Sequence, residues 1–289
     1  MGRGSKVLGT TLTNSRNLIK QTSIRLRGKA IPGAEDRQKK IAGFDQEVFS
    51  KIKVVLIGAG GLGSHIAPAL LRKGVGALTV LDNDEVDVTN LNRQRFYESD
   101  TEKNKAIALV ENLQRECICS TQLTGYALSF EEAVRLGVDL TCDVAICGVD
   151  NNPARVATSQ YFRERRVPVI FTAVSADGDH GYVFVQEKTG PCFGCVFPDA
   201  INNSTFPCPG TPAIIEILQV VGALTVYTVD SCLMARPRIW NYREVYLSSG
   251  EWDSSQRLVE RSDCPLRGTA RISEPQVTGA SNYSCGNYT

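Results

Sequence analysis

The run VVLIGAGGLGSHIAPALL, beginning at Val54, constrains the fold more than any other stretch of the chain. An apolar strand passes directly into Gly58, Gly60 and Gly63, and an apolar-periodic helix follows from Leu62 to about Lys73. A G-x-G-x-x-G loop permits a tight strand-to-helix turn and lets backbone N–H groups approach a phosphate at the helix N-terminus. A strand that is apolar on both faces must also be covered on both, as in a parallel sheet. The alternation such a sheet needs continues through strand ALTVLD, helix EKNKAIALVENLQREC, a strand near Ile118–Ala127, strand DVAICG, helix PARVATSQYFRERR and strand PVIFTAV. Right-handed crossovers then give an α/β class, a Rossmann-like, mostly parallel sheet with helices on both faces and ligands outside the strand carboxyl ends.

The flanking segments read differently. Ile41, Phe44, Val48 and Ile52 recur at three- and four-residue intervals and predict one amphipathic helix from Glu35 to Ile52. After Val174 the period falls to two in HGYVFVQEKTG and RIWNYREVYLSSGEWDSSQRLVERS, predicting antiparallel strands that extend the sheet. Between them AIIEILQVVGALTVYTVDSCLM carries Glu216, Gln219 and Asp230. Hydrocarbon charges about 2.5–3.5 kcal/mol for an acid at mid-span, so a buried core helix is expected there and no membrane partner. Residues 1–34 hold seven Lys or Arg and no acid, and read as a basic arm packing on the body or a second subunit in preference to a transit peptide. Residues 35–267 form the expected domain, with a nucleotide-binding part over 35–174 and a crossover and antiparallel part over 175–267; residues 268–289, rich in Gly, Ser, Thr and Asn, are a mobile tail. With 42% apolar residues and a net charge of +1, the chain fills a core and has no global attraction to DNA. Its ten cysteines lack a secreted-scaffold spacing and no secretory signal precedes them, so a reducing cytoplasm is expected.

Two cofactor classes share the glycine loop. Asp82 ends the next strand, 24 residues after Gly58, where it can accept hydrogen bonds from a ribose, which suits NAD and ATP alike. The following stretch, DNDEVDVTNLNRQRFYESDTEKNKA, separates them, because Asn90, Arg93, Gln94 and Lys105 bring donors to a place where a nicotinamide needs an apolar pocket. Such donors neutralise a triphosphate and the charge that builds on it during transfer. Asp150, just past the strand DVAICG, is placed to hold Mg²⁺ on the phosphates or to exclude the wrong nucleotide. ATP is the better reading. Cys208 lies in TFPCPGTPAIIE, ahead of a helix starting near Pro212, and a helix dipole there favours its thiolate.

GAGGLGS (58–64), DNDEVDVTNLNRQ (82–94), Lys105, VDNNPAR (149–155), and CFGC (192–195) followed by Cys208 together resemble the ThiF/MoeB/HesA family of adenylyltransferases, from about Asp36 to Cys264. The resemblance implies a homodimer that binds ATP–Mg²⁺ and activates the C-terminal Gly-Gly tail of a ubiquitin-like or sulfur-carrier protein as an acyl-adenylate. It implies that Gly58, Gly60, Gly61 and Gly63 hold the nucleotide with Asp82 and Asp84, that Asn90, Arg93, Gln94 and Lys105 handle the phosphates, and that Asp150 serves the metal. DRQKKIAGFDQ is similar to the family's Arg-Gln segment, which makes Arg37 an arginine reaching the other subunit's site. By the same resemblance Cys208 is the candidate nucleophile, carrying a thioester or taking part in sulfur transfer, with a conjugating enzyme or a sulfurtransferase downstream. Many members close a zinc site with two Cys-x-x-Cys pairs; here Cys192, Cys195 and Cys264 match, but Arg267 stands in the fourth place. Either Cys285 substitutes or three reduced thiols remain without Zn²⁺.

The competing readings are an ATP-driven dehydratase acting on a carboxylated tRNA base, an inactive adaptor that binds a ubiquitin-like protein, and an NAD-dependent oxidoreductase. Near-neutral charge beyond the arm argues against the first, and the full set of phosphate-handling residues against the second.

Overall fold

Alternating apolar segments build one sheet in the computed structural model, which describes residues 18–202, 212–234, 236–248 and 253–266. Among the described residues its strands are β1 (Ser23–Arg27), β2 (Lys53–Ile57), β3 (Ala77–Leu81), β4 (Gln122–Tyr126), β5 (Val144–Cys147), β6 (Val169–Val174), β7 (His180–Gln186), β8 (Tyr242–Tyr246) and β9 (Ser254–Gln256). They lie in the order β1-β4-β3-β2-β5-β6-β7-β8-β9. The central five are parallel; β1 is antiparallel to β4, and β7 to β9 extend the other side antiparallel. The chain order reverses between β2 and β5, so the crevice for a ligand opens where those two strands end.

The helices are α1 (Gln46–Phe49), α2 (Gly61–Arg72), α3 (Lys105–Leu113), α4 (Phe130–Leu136), α5 (Asn152–Glu164), α6 (Phe193–Val196), α7 (Asp199–Asn202) and α8 (Ile215–Leu233). Alternate residues of β2 sort the core into two layers. Val54 and Leu56 pack with Ile66, Leu70, Leu109 and Val221 of α2, α3 and α8. Val55 and Ile57 pack with Phe130, Phe162 and Phe193 of α4, α5 and α6. That two-sided burial is why β2 is apolar at consecutive positions.

The single helix expected over Glu35–Ile52 does not form. A 3-10 turn at Gln38–Lys40 stops, Gly43 takes φ +77°, and Asp45 opens α1 by accepting from the Glu47 and Val48 amides at 2.9 and 3.0 Å. Phe44, Phe49 and Ile52 turn inward while Ile41 and Val48 stay exposed, so the apolar spacing came from two short pieces separated by a glycine. Part of the expected arm is β1, whose Ile24 and Leu26 pack on the core while Arg25 and Arg27 face water. Its SIRLR alternation was hidden by the count of basic residues around it. The crossover from β4 to β5 contains α4, opened by a reciprocal Ser129–Glu132 capping box and closed by Gly137 at φ +72°.

The long apolar helix α8 begins at Ile215, three residues later than expected, and is long and apolar enough by composition to cross a membrane. It packs instead along α2 and over β6 and β7. Asp230 is fully buried in it and accepts from Lys73, at the end of α2, and from Arg236 at 3.0 Å. Gly222 faces His65 closely enough that an added Cβ would lie 3.5 Å from the His65 Cβ.

Candidate functional site

Three loops meet at the carboxyl ends of β2, β3 and β5. Leaving β2, Gly58 takes φ +96° with its missing Cβ aimed at Gly148, 3.1 Å from that carbonyl oxygen, so the exit of β5 packs directly on the glycine loop. At Gly63 an added Cβ would fall 1.9 Å from the Gly58 carbonyl oxygen. Gly60 is different: the nearest atom to its missing Cβ is Gln94 Nε2 at 3.8 Å, and it leaves room in front of α2. No side chain caps α2, so its first N–H groups are left for an outside acceptor, and a phosphate is the natural one.

From the end of β3, the Asp82 carboxylate accepts from the Ala59 amide at 2.7 Å and the Asp84 amide at 2.8 Å, tying the acid to the glycine loop. Burial raises the Asp82 carboxyl above its usual value, against the pull of those two amides and of Lys105. Lys105 is the first residue of α3, 9% exposed, with its Nζ 3.0 Å from the Asp84 carboxylate. A cation in a helix's first turn opposes the dipole, and burying it costs solvation. The Asp84 carboxylate offsets part of that cost, and an anion arriving between α2 and α3 would offset more. Asn104 places it by capping the Ile107 amide at 3.1 Å while donating to the Asp82 and Asp84 carbonyls at 2.9 and 3.0 Å.

The loop between β3 and α3 supplies the remaining donors. Asn90 is buried and its Oδ1 accepts from the Asp87 amide at 3.1 Å. Arg93 folds onto its own loop, Nη1 reaching the Thr89 carbonyl at 2.7 Å and Asn92 Oδ1 at 3.0 Å. Gln94 Oε1 is buried with no hydrogen-bond partner, an uncommitted group beside the open space at Gly60. Two residues of α2 hold this loop: His65 Nε2 lies 2.9 Å from the Arg93 carbonyl, and Ser64 Oγ accepts from the Arg95 amide at 3.2 Å. Burial lowers the half-buried His65 imidazole's pKa, outweighing that carbonyl.

Asp150 is exposed, just beyond the β5 segment that packs on Gly58. Its loop is held by Arg155, which donates to the Val149 carbonyl at 2.7 and 3.1 Å and to Asn152 at 3.0 Å, and by Asn151, which caps α5. Contacts thus link the glycine loop to Asp82 and, through it, to Asp84 and Lys105, with Gln94 beside Gly60 and the segment before Asp150 packed on Gly58. Arg37 lies apart on the N-terminal segment, exposed, with no ion pair to a described residue. Cys208 and Arg267 fall outside the described residues. Sequence reasoning read His65 as structural and not catalytic, and gave no individual role to Asn104 or Arg155; an asparagine directly before the apolar period of α3 was the available signal for the former.

A second constellation sits on the other layer. Cys192 and Cys195 bracket α6, and Gly194 between them leaves room for Leu266, whose Cγ would lie 2.7 Å from an added Cβ. That seats Cys264 against the pair, with Cys192 Sγ 3.7 Å from Cys195 Sγ and 3.4 Å from Cys264 Sγ. Thiolates on a tetrahedral zinc at 2.3 Å stand about 3.8 Å apart, so the three sulfurs fit three corners. An arginine at position 267 cannot supply the fourth. Other cysteines behave as core: burial pushes the Cys117 and Cys147 thiols up to about 11 and Cys142 up to about 12.

A parallel-centred sheet whose chain order reverses between β2 and β5, covered by helices on both faces, defines a doubly wound α/β fold. The ThiF family matches residues 35–265, and the chain belongs to that family. It is similar to the sulfur carrier protein ThiS adenylyltransferase of Bacillus subtilis, 28% identical over 65% of this chain and 57% of that protein's length. It is also similar to the SAMP-activating enzyme E1 of Haloferax volcanii, 29% identical over 76% of this chain and 82% of that protein. Among solved structures, E. coli MccB with ATP superposes with a TM-score of 0.62 at 21% identity, over 76% of this chain and 68% of that one, a likeness of fold.

Proposed function

We propose that the protein uses ATP to adenylate the C-terminal carboxylate of a small ubiquitin-like or sulfur-carrier protein. The observation that carries this reading is Lys105, a buried cation at the wrong end of a helix for stability, facing the uncapped N-terminus of α2 across Asp82 and Asp84. The names of the relatives, which activate sulfur carriers and SAMP, support the substrate class. In this reading Asp82 accepts from the ribose, and the α2 amides with Asn90, Gln94 and Lys105 hold the phosphates. Arg93 swings off Thr89 to stabilise charge as the tail carboxylate oxygen attacks the α-phosphorus and pyrophosphate leaves with the broken P–O bond's electrons. Asp150 would hold the magnesium that neutralises the phosphates.

The protein acts as a homodimer in this reading. Arg37 is a free guanidinium flanked by the exposed Ile31, Ile41 and Val48, a combination that suits an arginine delivered across a subunit interface. The thioester step rests on sequence context alone: the Cys208 thiolate would attack the acyl-adenylate carbonyl and expel AMP. Three described thiols, Cys192, Cys195 and Cys264, are assigned to Zn²⁺, and the unpaired state of the described cysteines suits a cytoplasmic protein.

Pyrophosphate exchange into ATP, dependent on an added Gly-Gly-ended carrier, tests the reaction. Arg93→Ala is expected to slow exchange about 10²–10³-fold, the cost of losing one donor to developing charge. Absence of exchange with every such carrier, together with an Arg93→Ala protein indistinguishable from wild type, would defeat the proposal.

A further inference from the structure

The three thiols leave one corner of a tetrahedron open, and the wall beside it is already built. A cavity of about 180 Å³ adjoins them, lined by Cys192, Cys195, Cys264, Arg163, Arg261 and Glu260, among others. Most polar groups on that wall are committed. Ser159 Oγ donates to Gln186 at 2.6 Å, Arg163 donates to the Gly190 carbonyl at 2.9 Å, and Arg261 pairs with Asp263 at 2.8 Å. Glu260 is the one carboxylate among the described lining residues, and it forms no ion pair with a described residue. The backbone brings it to the cluster: the Arg261 amide donates to the Cys195 thiol, and the Arg261 carbonyl accepts from the Cys264 amide at 3.4 Å. Glu260 thus directly precedes the residue whose amide reaches the Cys195 sulfur, and its exposed side chain lies on the wall of the same cavity.

We propose that Cys192, Cys195 and Cys264 bind zinc with the Glu260 carboxylate as fourth ligand, in place of the missing cysteine at position 267. This rests on the assignment of the three thiols to zinc made above. An oxygen ligand from Asp or Glu is an ordinary partner for zinc at about 2.0–2.2 Å. Three thiolates and a carboxylate leave excess negative charge around a divalent ion, and Arg163 on the cavity wall, which has no carboxylate partner among the described residues, offsets part of it. The thiol protons pass to solvent on binding. Because Cys264 follows β9 and Cys192 precedes α6, the ion ties the last described strand of the sheet to the layer beneath α5.

The test is zinc affinity by competition with a chromogenic chelator, together with the absorption spectrum of the full-length protein loaded with cobalt(II) under reducing conditions. Glu260→Gln is expected to weaken zinc at least about tenfold, the loss typical even of residues that only support a ligand. It should also shift the cobalt ligand-field bands while leaving the thiolate charge-transfer intensity unchanged, and Cys285→Ser should change neither quantity. Metal bound with equal affinity and an identical spectrum in Glu260→Gln would overturn the Glu260 assignment and leave the three-thiol site standing. Loss of charge-transfer intensity in Cys285→Ser would give the fourth place to that tail cysteine. Reduced wild-type protein that takes up neither zinc nor cobalt would overturn the assignment of the thiols as well.

Discussion

His65 spans two packed surfaces: its Cβ lies against Gly222 of α8, and its ring reaches the Arg93 carbonyl in the phosphate loop. Burial favours the neutral ring, so its folded pKa lies below the ordinary 6.5. An unfolded chain then takes up this proton at a higher pH than the folded one does. The contribution of His65 to stability is present above pH 6.5 and lost as pH falls from there through the folded pKa. Urea midpoints measured on either side of that pH should drop on acidification in wild type and drop less in His65→Gln, whose amide still donates to the Arg93 carbonyl. Equal drops in the two proteins would mean that the ring is not held neutral. Around Lys105 the residue scale also shows where sequence reading stops. That Lys105, Asp82 and the glycines come together was legible because each sits at the start or end of a strand or helix whose period the sequence shows. Arg93 was legible as a donor, but its turn onto Thr89 depends on a loop conformation that no spacing records.

At the scale of elements, α8 is an apolar helix anchored by one buried acid. Asp230 is fully buried, whereas its partners Lys73 and Arg236 keep contact with water. Burial lowers the Lys73 pKa, and the Asp230 carboxylate works against that. Removing the acid strands the Lys73 ammonium beside Phe44 and Phe49, whose ring centroids lie 5.2 and 5.0 Å away. Asp230→Ala is expected to cost about 3–5 kcal/mol, toward the lower figure because both cations can reach solvent. Chemical denaturation reads this directly, and a loss below about 1 kcal/mol would show that α8 is held by its apolar contacts alone. Elements with a continuous period, β2, α2, α5 and α8, were legible in sequence. The segment from Glu35 to Ile52 was not, because Gly43 and the Asp45 cap break a period that the apolar spacing alone preserves. β1 was missed because its side chains were weighed as charge and not as alternation, and α4 because its SFEE capping signature was passed over.

For the whole molecule, the strand order puts the ends of β2 and β5 at the reversal point and β3 beside them. Three segments far apart in sequence, the glycine loop, the stretch from Asp82 to Lys105 and the exit of β5, thereby meet at one end of the sheet. That convergence follows from a right-handed parallel sheet once the strands are known, which is why the meeting of these segments was readable from the sequence. The three thiols were legible through the family resemblance although Cys192 and Cys264 are 72 residues apart; what needed the fold was the packing around them, with Leu266 against Gly194 and the cavity wall beside the sulfurs. The central claim is that the crevice is built for a nucleoside triphosphate and not for a redox dinucleotide. Calorimetric titration of ATP–Mg²⁺ and of NAD into separate samples of the wild-type and Lys105→Met proteins tests it most directly. The account predicts binding of ATP–Mg²⁺ that weakens at least about tenfold in Lys105→Met, a loss of about 1.4 kcal/mol or more, and no binding of NAD. NAD bound in preference to ATP, with Lys105→Met behaving as wild type, would contradict it.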